Sequence, residues 1–222
     1  MTRLVLKVGG AVTDGAAAQV LALAEAGHET CVVHGAGPQI SAELRRRALP
    51  VEFVGGRRVT SAAALEVVRA SLAAVNRELC AAIGPLAIGL LGDEIGLAAT
   101  PMPALGLVGD PVPARPPAIE AALAAGRIPV VAPLASGPLN VNADEMAAAL
   151  AVGLGANQLV FVTDVPGLLH AGAVVARIAA GEADRLLADG TLEGGIVPKL
   201  RAAAAAARLG VRAEIGETRV VA

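Results

Sequence analysis

The sequence predicts an α/β fold in which parallel strands are covered by helices on both faces. Short β-branched runs alternate with longer Ala/Leu/Glu/Arg segments, the pattern of buried parallel strands and their crossover helices. Glycine-rich turns follow several of the apolar runs, as βαβ units require. The 222 residues, 55% hydrophobic and 17% charged, suffice for one α/β core or two closely joined lobes of one.

Periodicity places strands over 4–8, 30–34, 86–91, 128–134 and 159–163, with weaker ones near Val51, Leu105 and Val211. Between them it places helices over 15–26, 39–47, 61–82, 118–125, 143–154, 179–188 and 199–209. The stretch 100–117, rich in Pro and Gly, reads as a linker or surface connection between an N-terminal and a C-terminal half. There is no internal repeat.

Composition excludes several classes of function. A formal net charge of -2 lacks the basic balance that binding to nucleic acid needs, so the partners are small molecules. No apolar run is long enough to span a membrane, and the start of the chain passes directly into a strand rather than a signal peptide. Cys31 and Cys80 are far apart and without metal spacing, which reads as two free thiols in a reducing, cytoplasmic compartment. Phe53 and Phe161 are the only aromatics, so a flat ring would rest on aliphatic side chains.

In open α/β sheets ligands bind beyond the carboxyl ends of the strands. The first such exit is Lys7-Val8-Gly9-Gly10, a lysine near the end of a strand with two glycines whose N–H groups can approach an anion. The second, His34-Gly35-Ala36-Gly37-Pro38, is a glycine-rich turn opening a helix whose N-terminus favours phosphate or carboxylate. Either one alone reads more readily as a plain tight turn. The third, Asn140-Val141-Asn142-Ala143-Asp144, contains helix-capping residues but has more polar groups than a cap needs. The fourth is Thr163-Asp164-Val165-Pro166-Gly167-Leu168-Leu169, an Asp-initiated turn or an apolar enclosure for a ring. A further element, 193–199, ends in Lys199 where a helix begins, against the preference of the helix dipole, as a phosphate partner would explain.

Taken in order, these motifs, with Gly56-Arg57-Arg58-Val59-Thr60 and Leu107-Val108-Gly109, resemble the amino acid kinase family over nearly the whole chain. The likeness is greatest to members that phosphorylate N-acetyl-L-glutamate. It implies a three-layer αβα sandwich with a mainly parallel central sheet, of the amino acid kinase or carbamate kinase-like type. It also implies one domain over 1–222, with an acyl amino acid-binding half of roughly 1–117 and a nucleotide-binding half of roughly 118–222. The implied reaction is ATP-dependent phosphorylation of a side-chain carboxylate to an acyl phosphate, as in arginine biosynthesis.

Carried over by position, the resemblance assigns Lys7 and Lys199 to the transferring phosphoryl group and Asp144 to holding both lysines. Gly9, Gly10, Gly35 and Ala36 would line the substrate, with Arg58 on its α-carboxylate and Asn140 and Asn142 completing the site. Asp164, Val165, Gly167, Leu168, Leu169, Thr191 and Glu193 would bind nucleotide. Mg²⁺ is expected to come with ATP, with no protein metal site of its own.

The chain also departs from the family pattern. Ala36 replaces a glycine, where its methyl group is expected either to crowd the substrate or to tolerate only negative φ, and Gly55 and Arg57 replace Asn and Leu. The segment 217–221 resembles a last strand with the preceding helix deleted, implying a trimmed nucleotide lobe and weaker ATP binding. Only Met1 to Leu6 precede Lys7, whereas arginine-inhibited members carry an extra N-terminal helix; this leads to the expectation of a homodimer insensitive to L-arginine. The apolar face of 61–82 is the expected dimer surface. Two alternatives accompany this reading: a kinase for a related carboxylate such as carrier-protein-bound aminoadipate, and a catalytically silent amino acid or nucleotide sensor. Retention of Lys7, Asp144 and Lys199 together argues against the sensor.

Overall fold

The computed structural model describes residues 2–9, 14–163, 165–170 and 172–222. Gly10 and Asp164, both assigned to the site by the sequence, lie outside these. The first half runs β1 (Arg3–Val8), α1 (Asp14–Glu25), β2 (Glu29–His34), α2 (Gly37–Arg46), β3 (Phe53–Val54), β4 (Arg57–Arg58), α3 (Ala62–Ile83), β5 (Ala87–Leu91), β6 (Ala99–Pro101) and β7 (Val108–Pro111). The second runs α4 (Pro117–Ala124), β8 (Ile128–Ala132), β9 (Leu134–Ala135), β10 (Leu139–Val141), α5 (Ala143–Gly153) and β11 (Gln158–Val162). It closes with β12 (Leu169–His170), β13 (Ala173–Val174), β14 (Arg177–Ala179), α6 (Ala180–Ala188), α7 (Ile196–Arg208), β15 (Arg212–Ile215) and β16 (Thr218–Val221).

The central sheet has the order β14-β16-β15-β11-β1-β2-β8-β5. Its neighbours are parallel except for β15 and β16, which form an antiparallel hairpin. The expected αβα sandwich is therefore present. The chain's last strand turns straight back on β15 through Gly216, whose φ of 55° suits a residue without a Cβ.

Strand alternation decides which face each side chain joins. Leu4, Leu6 and Val8 of β1 pack with Ala16, Ala17 and Val20 of α1 and Leu79 and Ile83 of α3. Val5 packs on the opposite face, in the cluster that holds α4 to α7 and Phe161. Lys7 follows Val5 by two residues and so turns toward α5, in register with Val33 on β2 and Phe161 on β11. Arg3, at the other end of β1, ties that edge together through Glu29 at 2.8 Å and Glu120 at 2.7 Å.

Three sequence expectations change. The single strand over 128–134 divides at Pro133, which has no N–H for a ladder, and its far piece leaves the main sheet. The stretch 100–117 is no linker: β6 and β7 belong to a second sheet of order β6-β7-β10-β9, and residues beside them tie to Thr60 through Leu107 N–H at 2.7 Å and Leu105 O at 2.9 Å. The apolar face of α3 is not a free dimer surface, because Leu65, Val67, Val68, Leu72, Val75, Leu79 and Ile83 are buried within the protomer.

Two glycines give opposite predictions. A Cβ on Gly153, at the end of α5, would meet Ala114 O at 2.1 Å and Ala114 N at 2.3 Å, both backbone atoms. Gly153→Ala should therefore lower stability by about 2 kcal/mol or more, seen as a lower urea midpoint. Gly181 in α6 is exposed with nothing within 4 Å of such a Cβ, and Gly181→Ala should raise stability by about 0.5 kcal/mol.

Candidate active site

β1 and α5 bring the first two functional groups together. Lys7 Nζ lies 3.0 Å from Asp144 Oδ1, with side chains only 10% and 7% exposed. The contact is an ion pair off the line of a hydrogen bond, since Asp144 Oδ1 has no hydrogen-bond partner. Asp144 sits in the first turn of α5, where the helix dipole favours a carboxylate. Asn142 is the N-cap: its Oδ1 accepts from the N–H groups of Asp144 at 2.8 Å and Glu145 at 3.2 Å. Its amide nitrogen donates to Gly56 O at 3.1 Å, so one asparagine caps a helix and holds a loop.

That loop is the tip of the β3–β4 hairpin, which carries Arg58. Arg58 is 6% exposed, donates through Nη2 to Ser41 Oγ at 2.8 Å and Gly37 O at 3.3 Å, and lies with Cζ 4.5 Å from the Phe53 ring centroid. Its Nη1 is buried without a partner. A buried guanidinium donor left unpaired is costly, and a carboxylate is the acceptor that fits its planar fork. Burial draws its pKa down, with Arg45 adding to the effect.

Lys7, Arg58, Asn140, Asn142 and Asp144 line one cavity of about 290 Å³ with the turn Gly35 to Pro38. Asn140 donates to Thr60 Oγ1 at 3.0 Å, and Thr60 in turn donates to Arg58 O at 2.7 Å, which fixes the arginine backbone from below. Gly35 N–H is spent on Val8 O at 3.1 Å, so it cannot serve a substrate as the sequence reading supposed. The turn leads into the N-terminus of α2, whose dipole favours an anion. Ala36 adopts φ -144°, accessible to any L residue, and its methyl packs among Ile40, Leu44 and Val68. Gly9 is not among the cavity's lining residues.

A second cavity, of about 480 Å³, is lined by Val165, Gly167, Leu169, Thr191, Glu193 and Lys199, among others. Leu168, assigned to this site by the sequence, instead points into the core at 0% exposure, with its N–H on Thr218 Oγ1 at 2.8 Å. Lys199 is the fourth residue of α7 and its Nζ donates to Gly195 O at 3.2 Å. Pro198, its neighbour, lines the first cavity. Asp144 pairs with Lys7, the lysine that the sequence places at the end of the first strand. Among the described residues, no three His, Cys, Asp or Glu side chains gather as a metal site.

Sequence reasoning missed Ser41, Phe53 and Thr60. Phe53 had a usable signal: Phe53-Val54-Gly55-Gly56-Arg57-Arg58 reads as a hairpin, which places the phenylalanine opposite Arg58.

A family profile described as the amino acid kinase family matches residues 2–216. A protein of Rubrobacter xylanophilus named acetylglutamate kinase is 43% identical, over 97% of this chain and 88% of its own length. The solved structure of smu.665 from Streptococcus mutans UA159 superposes with a TM-score of 0.90 at 29% identity, covering 99% of this chain and 98% of that one. Carbamate kinase from Giardia lamblia bound to AMP-PNP, at 15% identity, shares the fold with a TM-score of 0.72 over 99% of this chain and 98% of its own.

His34 beneath the site gives a pH prediction. Burial, with Lys7 adding to it, pushes its pKa from 6.5 down to about 4, so the folded protein holds the ring neutral. The unfolded chain takes up that proton below about 6.5, so the stabilising increment is complete above this pH and declines as pH falls toward 4. By pH 5 the loss is about 2 kcal/mol. Urea unfolding of wild type and His34→Leu at pH 7.5 and 5 should show the difference between the two proteins shifting by that amount.

Proposed function

The chain belongs to the amino acid kinase family, and we propose that it moves the γ-phosphoryl group of ATP onto the side-chain carboxylate of N-acetyl-L-glutamate, a step of arginine biosynthesis. A carboxylate oxygen forms the new P–O bond, the bond between the γ-phosphorus and the β–γ bridging oxygen breaks, and ADP leaves. The observation that carries this reading is the unpartnered Nη1 of Arg58 in the cavity that also contains Lys7 and Asp144. A carboxylate bound by Arg58 completes a buried hydrogen-bond set that the protein alone leaves open.

Each remaining residue then has a role. Arg58, steered by Ser41 and Phe53, grips the α-carboxylate. Asn140 and the first N–H groups of α2 complete the acyl amino acid site. Lys7 balances the negative charge of the acceptor and the moving phosphoryl, with Asp144 fixing its position. Lys199 meets the phosphates from the second cavity, while Val165, Gly167, Leu169, Thr191 and Glu193 hold the nucleoside. Asp164 and Gly10 extend these two sets by sequence alone. Mg²⁺ enters with the nucleotide, held by phosphate oxygens and water.

The substrate half of roughly 1–117 and the nucleotide half of roughly 118–222 form one domain, and Asn140, Asn142, Asp144 and Pro198 from the second half complete the acyl amino acid cavity. The protein is proposed to act as a cytoplasmic homodimer. Since the apolar face of α3 is used internally, the edge of β5, one of the two edge strands of the central sheet with β14, is the partner surface this reading favours.

With ATP and Mg²⁺, hydroxylamine should trap a hydroxamate from N-acetyl-L-glutamate in preference to aminoadipate derivatives; no hydroxamate from any carboxylate would leave the sensor reading. Lys7→Ala and Lys199→Ala should each lower kcat by about 10² to 10³ in folded protein. Arg58→Lys should raise KM for the amino acid by an amount equivalent to about 1.5–3 kcal/mol and leave KM for ATP nearly unchanged, as steady-state kinetics will read.

A further inference from the structure

His34 ends β2 directly below the substrate turn and is entirely buried. Its Nδ1 lies 3.3 Å from Gly35 O, and its Nε2 lies 3.0 Å from the amide nitrogen of Asn76 on α3. The same amide nitrogen donates to Val130 O at 2.8 Å, and Cys80 Sγ donates to Asn76 Oδ1 at 3.8 Å. A carbonyl on one side and a thiol on the other set the amide's orientation. An amide nitrogen only donates, so Nε2 accepts and the ring's proton rests on Nδ1, where it donates to Gly35 O.

Gly35 O belongs to the same planar unit as the Ala36 N–H, and in a trans peptide the two point in opposite directions. Tying the carbonyl down to the ring therefore turns the N–H away from the ring. Gly35 N–H is already fixed on Val8 O at 3.1 Å, yet a glycine alone would let the following peptide rotate. We propose that His34, oriented by Asn76, is a positioning residue that locks the Gly35–Ala36 peptide so that the Ala36 N–H faces the reacting carboxylate. This deepens, and rests on, the kinase reading of that cavity. The support extends one residue further out: a Cβ at Gly89 on β5 would stand 2.3 Å from Asn76 Oδ1, so the glycine leaves the room that the amide occupies.

The variants separate a positioning ring from a space-filling one. His34→Leu keeps the volume but removes the donor, and kcat should fall by about tenfold or more while KM for ATP changes less than about twofold. His34→Asn can place its amide nitrogen where Nδ1 stood and should recover most of the loss. His34→Gln reaches the Nε2 position instead and should not. Wild-type kcat in the leucine variant overturns the proposal. A second measurement needs neither turnover nor a variant that folds: ¹⁵N spectra of the wild-type imidazole should show Nδ1 protonated and Nε2 bare from pH 5 to 8. An Nε2–H tautomer overturns the proposal even if the enzyme is active. Absence of any carboxylate phosphorylation by wild type, with the expected tautomer present, would fail the kinase reading and leave the lock on the Gly35 carbonyl standing.

Discussion

The ion pair between Lys7 and Asp144 is the constraint around which the rest is arranged. Two ionised groups with side chains 10% and 7% exposed have surrendered most of their water, and such pairs are often no better for stability than apolar residues of the same shape. Fold stability therefore does not explain it. Its location does: β1 is bordered on both sides by parallel neighbours, and Asp144 occupies the α5 turn that meets the carboxyl end of that strand. Because the 3.0 Å contact is off-line for a hydrogen bond, Asp144 fixes the ammonium chiefly by charge. Hydrogens of Lys7 remain available for a third group, which on the proposed function is an anion.

The same region shows how the two halves of the chain are bound into one site. The β3–β4 hairpin carries Arg58, yet its tip is held from the other half. Arg201 of α7 donates to Gly55 O at 3.0 Å, Asn142 donates to Gly56 O at 3.1 Å, and Arg57 pairs with Glu145 at 2.9 Å, while within its own half Arg57 also pairs with Asp110 at 3.0 Å. Gly55 and Gly56 take φ values of 58° and 85°, which a glycine turn allows at little cost. The departures from the family pattern at Gly55 and Arg57 thus acquire a physical sense. An arginine that pairs with α5 and β7 replaces an aliphatic residue, so the substrate hairpin is fastened to the second half by charge as well as by backbone contacts.

Much of this was legible in the sequence because the signals were periodic. Helices in an Ala-rich chain repeat their apolar face over several turns, and α5, α3 and α4 lie within a residue or two of their expected places. The second sheet was not legible: β9, β10, β6 and β7 have two to four residues each, too few for a period. Lys7, Asn140, Asn142 and Asp144 could be singled out because they lie at or beyond the ends of expected strands, whereas Arg58 was named by the family resemblance alone. Ser41 and Thr60 could not, since their bonds to Arg58 are made by tertiary contact and leave no local pattern. Leu168 and Leu169 show the limit most plainly. Adjacent residues face opposite ways, and nothing in the turn sequence says which leucine enters the core and which lines the cavity.

The first turn of α7 is the wall between the two cavities. Successive residues on a helix are about 100° apart, so Pro198 faces the acyl amino acid cavity while Lys199 faces the other. A lysine in that turn opposes the helix dipole, and its Nζ donates to Gly195 O at 3.2 Å. An anion between the cavities reverses the sign: the lysine and the dipole then attract the same charge. On the proposed reaction, a phosphoryl group moving from the second cavity to the side-chain carboxylate of a substrate anchored on Arg58 by its α-carboxylate would pass that turn, with Lys199 behind it and Lys7 ahead. On that proposal the two lysines flank the negative charge that phosphoryl transfer develops, which compact ammonium groups are suited to stabilise.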